Sequence, residues 1–205
     1  MNTRNAVRFG AAGLGAALLA AAGAAVALAD TEYGTGDVDV TVEIEEIEVP
    51  GTLALTVAGT SAPLTENGST ELVRQFTGAL PAVTVTDTRA AADVPTNAAW
   101  YVLGSSTDFT DDAGIAAPIP AENLGWEPQI VGDDSGGLVF AGEPVESDVD
   151  GGAGLVDQEL LVSTFDSAGV LEDGSWSAIA NLALRTPADV TPGSYTATIT
   201  LSLFE

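Results

Sequence analysis

The sequence predicts an all-β protein: a single β-sandwich of the immunoglobulin-like, Greek-key type with long acidic loops, preceded by a helical signal peptide. Three observations predict it. Apolar and polar residues alternate with a period of two in short runs, most cleanly over residues 195–204. There Tyr195, Ala197, Ile199, Leu201 and Leu203 share one face, and Thr196, Thr198, Thr200 and Ser202 share the other. The runs are separated by turn-rich stretches at residues 111–114, 132–137 and 148–154. After residue 30 no amphipathic helical pattern stands out, and short strands with Gly, Pro and Asp punctuation point to a sandwich.

Taken in order, residues 1–29 read as a secretory signal. Arg4 and Arg8 form a positive region, residues 9–29 carry no charge, and Ala27-Leu28-Ala29 gives a small-x-small cleavage pattern before Asp30. The competing reading is a retained anchor, because 21 uncharged residues are nearly long enough to span a bilayer. The Ala/Gly-rich composition, which contributes little insertion energy, and the cleavage pattern favour removal. The expected mature domain is residues 30–205, working outside the cytoplasmic membrane. With no Cys there is no lipid-anchor site and no disulfide, and the sequence stops on its last strand without a sortase-type tail. Any retention at the surface is therefore expected to be non-covalent.

Strand expectations follow along the chain. Val38, Val40, Val42 and Ile44 alternate with acids, and the parity reverses at Glu45-Glu46, where a bulge or bend is expected. Pro50-Gly51 ends that strand. Further strands are expected at 52–57, 82–88, 98–104, 127–131, 159–165, 176–184 and 195–204. Residues 132–154 are expected to form long loops or a short hairpin.

Charge and absences bound the chemistry. All 30 acidic residues fall at or after Asp30, against three of the five basic residues, so residues 30–205 carry a net charge of −27. Such a field repels nucleic acid and anionic lipid. Without His or Cys there is no Ser–His or Cys–His nucleophile and no ordinary zinc, copper or haem ligand set. Without Lys there is no Schiff base, and no phosphate-cradling loop is present. Two carboxylates in a cleft would suffice for a glycosidase, but among so many acids no pair is singled out, and no enzyme activity is expected. Ca²⁺ is the one cofactor considered: Asp111-Asp112, Asp133-Asp134 and Asp148-x-Asp150-Gly151 place oxygen donors in loops, yet none has the Asp-x-Asp-x-Asp-Gly spacing, and solvated acidic loops are the alternative. Asp87 and Arg89, two apart on one strand face, are expected to form an ion pair, and each of Arg74, Arg89 and Arg185 to find an acid.

Four aromatic residues are candidate binding contacts. Trp126 lies between turn residues in Leu124-Gly125-Trp126-Glu127-Pro128 and is the candidate for an exposed stacking platform. Trp100 and Trp176 sit within strands, where core packing is the alternative, and Tyr195 opens the last strand.

Taken together, several segments occur in the order of a known family. These are Gly-Thr-Leu-Ala-Leu-Thr-Val at 51–57, Val-Thr-Val-Thr-Asp-Thr-Arg at 83–89, Trp100-Tyr101-Val102, Asp108-Phe109-Thr110, Asn123-Leu124-Gly125-Trp126, Gly174-Ser175-Trp176-Ser177 and the ending Tyr195-x-x-x-Ile199-Thr200-Leu201-Ser202-Leu203. In these the chain resembles the WxL domains, cell-wall-binding surface modules of Gram-positive bacteria. Two positions depart: Leu201 stands where the second signature Trp belongs, and Val102 replaces the Leu of the first motif. The resemblance implies a secreted, non-enzymatic surface protein held non-covalently to peptidoglycan or another wall glycan, with other surface proteins as further partners. The alternative is a structural subunit of a surface assembly joined through sheet edges.

Overall fold

The computed structural model describes residues 51–205; the expected signal peptide 1–29 and the expected strand 37–49 lie outside the described residues. Twelve strands build an all-β sandwich of curled antiparallel sheets, as the alternation predicts. They are β1 (Leu53–Val57), β2 (Thr65–Glu66), β3 (Val73–Ala79), β4 (Val83–Asp87), β5 (Tyr101–Ser106) and β6 (Thr110–Asp111), then β7 (Leu124–Val131), β8 (Val139–Ala141), β9 (Glu159–Thr164), β10 (Ser175–Pro187), β11 (Tyr195–Thr196) and β12 (Ile199–Phe204).

The spine of the first sheet is β10, whose burial alternates over most of its length because Trp176, Ala178, Ala180, Leu182 and Leu184 all point inward. One of its edges takes β4 at Ser175–Ala178 and β3 at Asn181–Pro187, so β3 and β4 lie end to end along a single strand. The Leu80 amide continues the ladder across the break, donating to the Ala180 carbonyl at 2.8 Å. The other edge takes β7, with β1 outside β4 and β2 outside β3. The second sheet runs β12-β5-β9-β8, with a bulge where β9 passes Val102 and Leu103 of β5. A two-residue ribbon joins β6 to β11.

Three of these features differ from expectation. The run expected at 195–204 divides at residues 197–198, where the Thr198 amide turns to the Thr107 hydroxyl at 3.0 Å; β11 joins β6 and only β12 stays in the second sheet. β3 was absent from the expected strands because it lacks alternation. Residues 132–154 hold a turn on Asp134, the short strand β8 paired with β9, and a 3-10 turn at Asp148–Asp150. The one α-helical turn among the described residues, Ser167–Val170, is capped by the Asp166 carboxylate, which accepts from the Gly169 amide at 2.9 Å.

Between the sheets Trp100 packs on Trp176, with ring centroids 5.3 Å apart and planes at 37°. Trp126 lies under β5 at Gly104, where a Cβ would meet its Cη2 at 2.6 Å and Leu201 Cδ2 at 3.1 Å. An indole ring cannot flex aside, so Gly104→Ala is expected to destabilise the fold by about 1–3 kcal/mol through overpacking. Urea denaturation checks this, and an unchanged midpoint would refute the close fit.

Each described arginine is held by carboxylate, as expected: Arg74 by Glu66 at 2.8 Å, Arg185 by Asp150, and Arg89 by Asp87 at 2.6 Å and Glu205 at 2.7 Å. The last of these ties the end of β4 to the residue after β12. Burial alone would raise the Asp87 carboxyl, but side-chain and backbone hydrogen bonds from Arg89 hold it below the ordinary carboxylate range. Arg89 does the same for Glu205.

Candidate aromatic face

The structure corrects the aromatic platform expected from the sequence. Trp126 is 2 % exposed, not displayed: it sits on β7 facing inward, its amide and carbonyl bonded to Val145. Gly125 precedes it because the Val145 carbonyl comes so close that a Cβ there would stand 2.5 Å away. That close approach, rather than a turn, explains the glycine. Trp100 and Trp176 are likewise buried, and the Trp176 indole N–H donates to the Ser135 hydroxyl at 2.7 Å. Three of the four candidates therefore belong to the core. Tyr195 is half-buried with its hydroxyl donating to the Thr191 carbonyl at 2.7 Å. Val102 is buried, and Leu201 is half-buried against the core on the inner face of β12, so both departures from the WxL pattern fall on packing positions.

The second sheet presents aromatic residues elsewhere. Register places Phe204 of β12 beside Tyr101 of β5, Tyr101 beside Ser163 of β9, and Ser163 beside Phe140 of β8. Neighbours across a sheet share a face, and the inward positions are taken by Val102, Val139 and Val162, all buried. The row Phe204–Tyr101–Ser163–Phe140 therefore lies on the outer face. At neighbouring-strand spacing its three steps span about 14 Å. Tyr101 and Phe204 are each 38 % exposed and stack at 5.3 Å; Phe140 and Phe165 are 44 % and 79 % exposed and meet at 5.8 Å. Ser163, though outward, is buried between them.

Among the described strand residues the rest of this face is uncharged, since Glu159, which opens β9, is registered with the inward-facing Gly104. The next rank is Ser202, Leu103 and Leu160, and the one beyond it Thr200 and Ser105. In a region so rich in acids, a sheet face of aromatic rings and hydroxyls without one charged strand residue is a selective surface. The first sheet differs, with Glu127 of β7 and Arg185 of β10 on its exterior.

Several carboxylates of the acidic loops are held by backbone amides, hydroxyls or arginine of the protein itself. Asp111 accepts the Ile115 and Ala116 amides at 2.9 Å each, and these hydrogen bonds hold its carboxyl below the ordinary range. Asp112 accepts the Ser194 and Thr196 hydroxyls at 2.7 and 2.9 Å, and Asp133 the Ser135 amide at 2.7 Å. Asp150 takes the Ser147 hydroxyl as well as Arg185. Among the described residues no three acids converge as a metal site. No described helix is long and apolar enough to cross a membrane.

Fold and surface together define, among the described residues, a β-sandwich with an aromatic sheet face free of charged strand residues and an otherwise acidic exterior. Comparison with family models, characterised proteins and solved structures finds no match.

Proposed function

We propose that this is a secreted, non-enzymatic surface protein that holds non-covalently to peptidoglycan or another wall glycan through the outer face of its second sheet. The observation that carries this reading is the aromatic row on a charge-free face of a strongly acidic chain. A neutral polymer of rings and hydroxyls complements such a face: aromatic rings stack on the apolar faces of sugars, and the flanking Ser and Thr hydroxyls offer hydrogen bonds. The export signal and the ordered WxL-like segments support the same reading. Here the rings that would meet the glycan are Tyr101, Phe140, Phe165 and Phe204, not the tryptophans of the motifs.

The test is co-sedimentation with purified cell wall. Phe140→Ala and Tyr101→Ala are each expected to weaken binding by up to about tenfold, and the two combined with Phe204→Ala by more, at about 0.5–1.5 kcal/mol per aromatic contact. Partial exposure of all three rings lets the fold survive. Sedimentation unchanged in the triple variant would sink the site, and none at all in the parent protein would sink the function. A chelator arm addresses a separate point: a wall polyanion bound to this acidic chain needs a bridging divalent cation, so binding indifferent to both chelator and salt excludes that bridge and leaves a neutral glycan.

A further inference from the structure

Among the described residues the sandwich is open on one side, between β1 and β12. Each is an edge strand with a single partner, β4 and β5 respectively. Hydrogen-bonded and open pairs alternate along an antiparallel ladder, and the flanking bonds fix the phase. Thr88 donates to the Thr52 carbonyl at 3.0 Å and Ala58 to the Ala82 carbonyl at 2.8 Å, so Leu53, Leu55 and Val57 turn their own N–H and C=O away from β4. Thr107 donates to the Thr198 carbonyl at 3.0 Å, so Ile199, Leu201 and Leu203 likewise turn theirs away from β5. These six residues also carry the inward apolar side chains of the two strands, and five of them are only half-buried. Val57 is 41 % exposed. Between the strands runs a cleft of about 970 Å³, floored by Phe76, Leu182 and Leu184.

Ladder groups with no partner among the described residues, beside half-exposed leucines, are what a strand needs in order to add to a sheet. Charge selects the strand. The cleft lining contains no carboxylate, and its one charged residue, Arg74, is neutralised by Glu66. Its rim carries, beside the Thr191–Ser194 loop, the acids Asp111 and Asp112. A second copy brings the same strong negative charge and is repelled; the chain's own residues 37–49 carry six acids and no base, and meet the same penalty. We propose that the cleft is a strand-acceptor site for an extended segment of a partner protein, apolar at alternate residues and basic at its flanks. This site is independent of the aromatic face.

Four synthetic peptides test it against the purified full-length protein: a Val/Thr alternating hexapeptide flanked by Lys, the same core flanked by Glu, the same residues reordered to a helical period, and residues 37–49. The Lys-flanked alternating peptide is expected to bind at least tenfold tighter than the other three, weaken with salt, and slow amide exchange at residues 53, 55 and 57 or 199, 201 and 203. Leu201→Glu should remove binding, and so should Val57→Glu, an exposed position whose change leaves the fold intact by circular dichroism. Failure of the Lys-flanked peptide to bind, equal binding by the 37–49 or Glu-flanked peptide, or a dimer that protects the same amides would each overturn the proposal.

Discussion

Trp126→Ala is expected to lower the free energy of unfolding by about 3–5 kcal/mol, the range for deleting a fully buried large aromatic side chain. An exposed sugar platform at this position would behave in the opposite way, losing binding at constant stability. The ring fills the space against Gly104, so its removal leaves a cavity between β5 and β7. Its indole N–H has no acceptor among the described residues, so no hydrogen bond is lost with it and the whole cost is packing. Chemical denaturation gives the number. A change below about 1 kcal/mol would contradict the buried placement.

The second large effect is expected at Arg89. Removing one partner of a buried ion pair leaves the others uncompensated, which costs about 3–5 kcal/mol. The Arg89 and Glu205 side chains keep 11 % and 21 % exposure, which screens the interaction and places Arg89→Gln toward the lower end of that range. The pH dependence distinguishes this pair from a packing defect. Asp87 and Glu205 both have lowered values in the folded protein. Their stabilisation is therefore complete above the unfolded carboxylate values, about 3.9 for Asp and 4.3 for Glu, and disappears as pH falls through the lower folded values. The difference between parent and Arg89→Gln should be largest near neutrality and shrink on acidification below about pH 4. A difference that stays constant with pH would mean that Arg89 acts through its hydrocarbon stem alone.

The strands that the sequence announces are those with one face in the core. β4 buries Val83, Val85 and Asp87, and β10 buries every second residue from Trp176 to Thr186. Alternation marks both. β3 is different: Val73, Phe76 and Ala79 recur every third residue, and its first six residues are all half-buried because part of it borders the open cleft. No period of two survives there. Trp126 misleads for a related reason. Its neighbours Gly125 and Pro128 carry the signature of a turn, whereas in the fold one admits the Val145 carbonyl and the other sits on an edge strand, where a missing amide is tolerated. The ion pairs were legible because arginine is scarce and Asp87 and Arg89 are two apart. The aromatic face was not. Tyr101, Phe140 and Phe204 come from different stretches of chain, and only the register across four strands puts them in line, with Phe165 beside Phe140.

The position of β10 in the chain also has a consequence for how the protein reaches its folded state. This strand is the shared partner of β3, β4 and β7, all of which precede it, and the Trp176–Val85 pairing closes a loop of roughly 90 residues. Until residues 175–187 are available, the first sheet has no centre, and the β1–β4 pair, the β2–β3 pair and β7 have no common strand to join. Pairings so distant in sequence slow the search for the native topology, and no disulfide is present to hold an intermediate. A nascent chain therefore cannot complete the first sheet until late in its emergence.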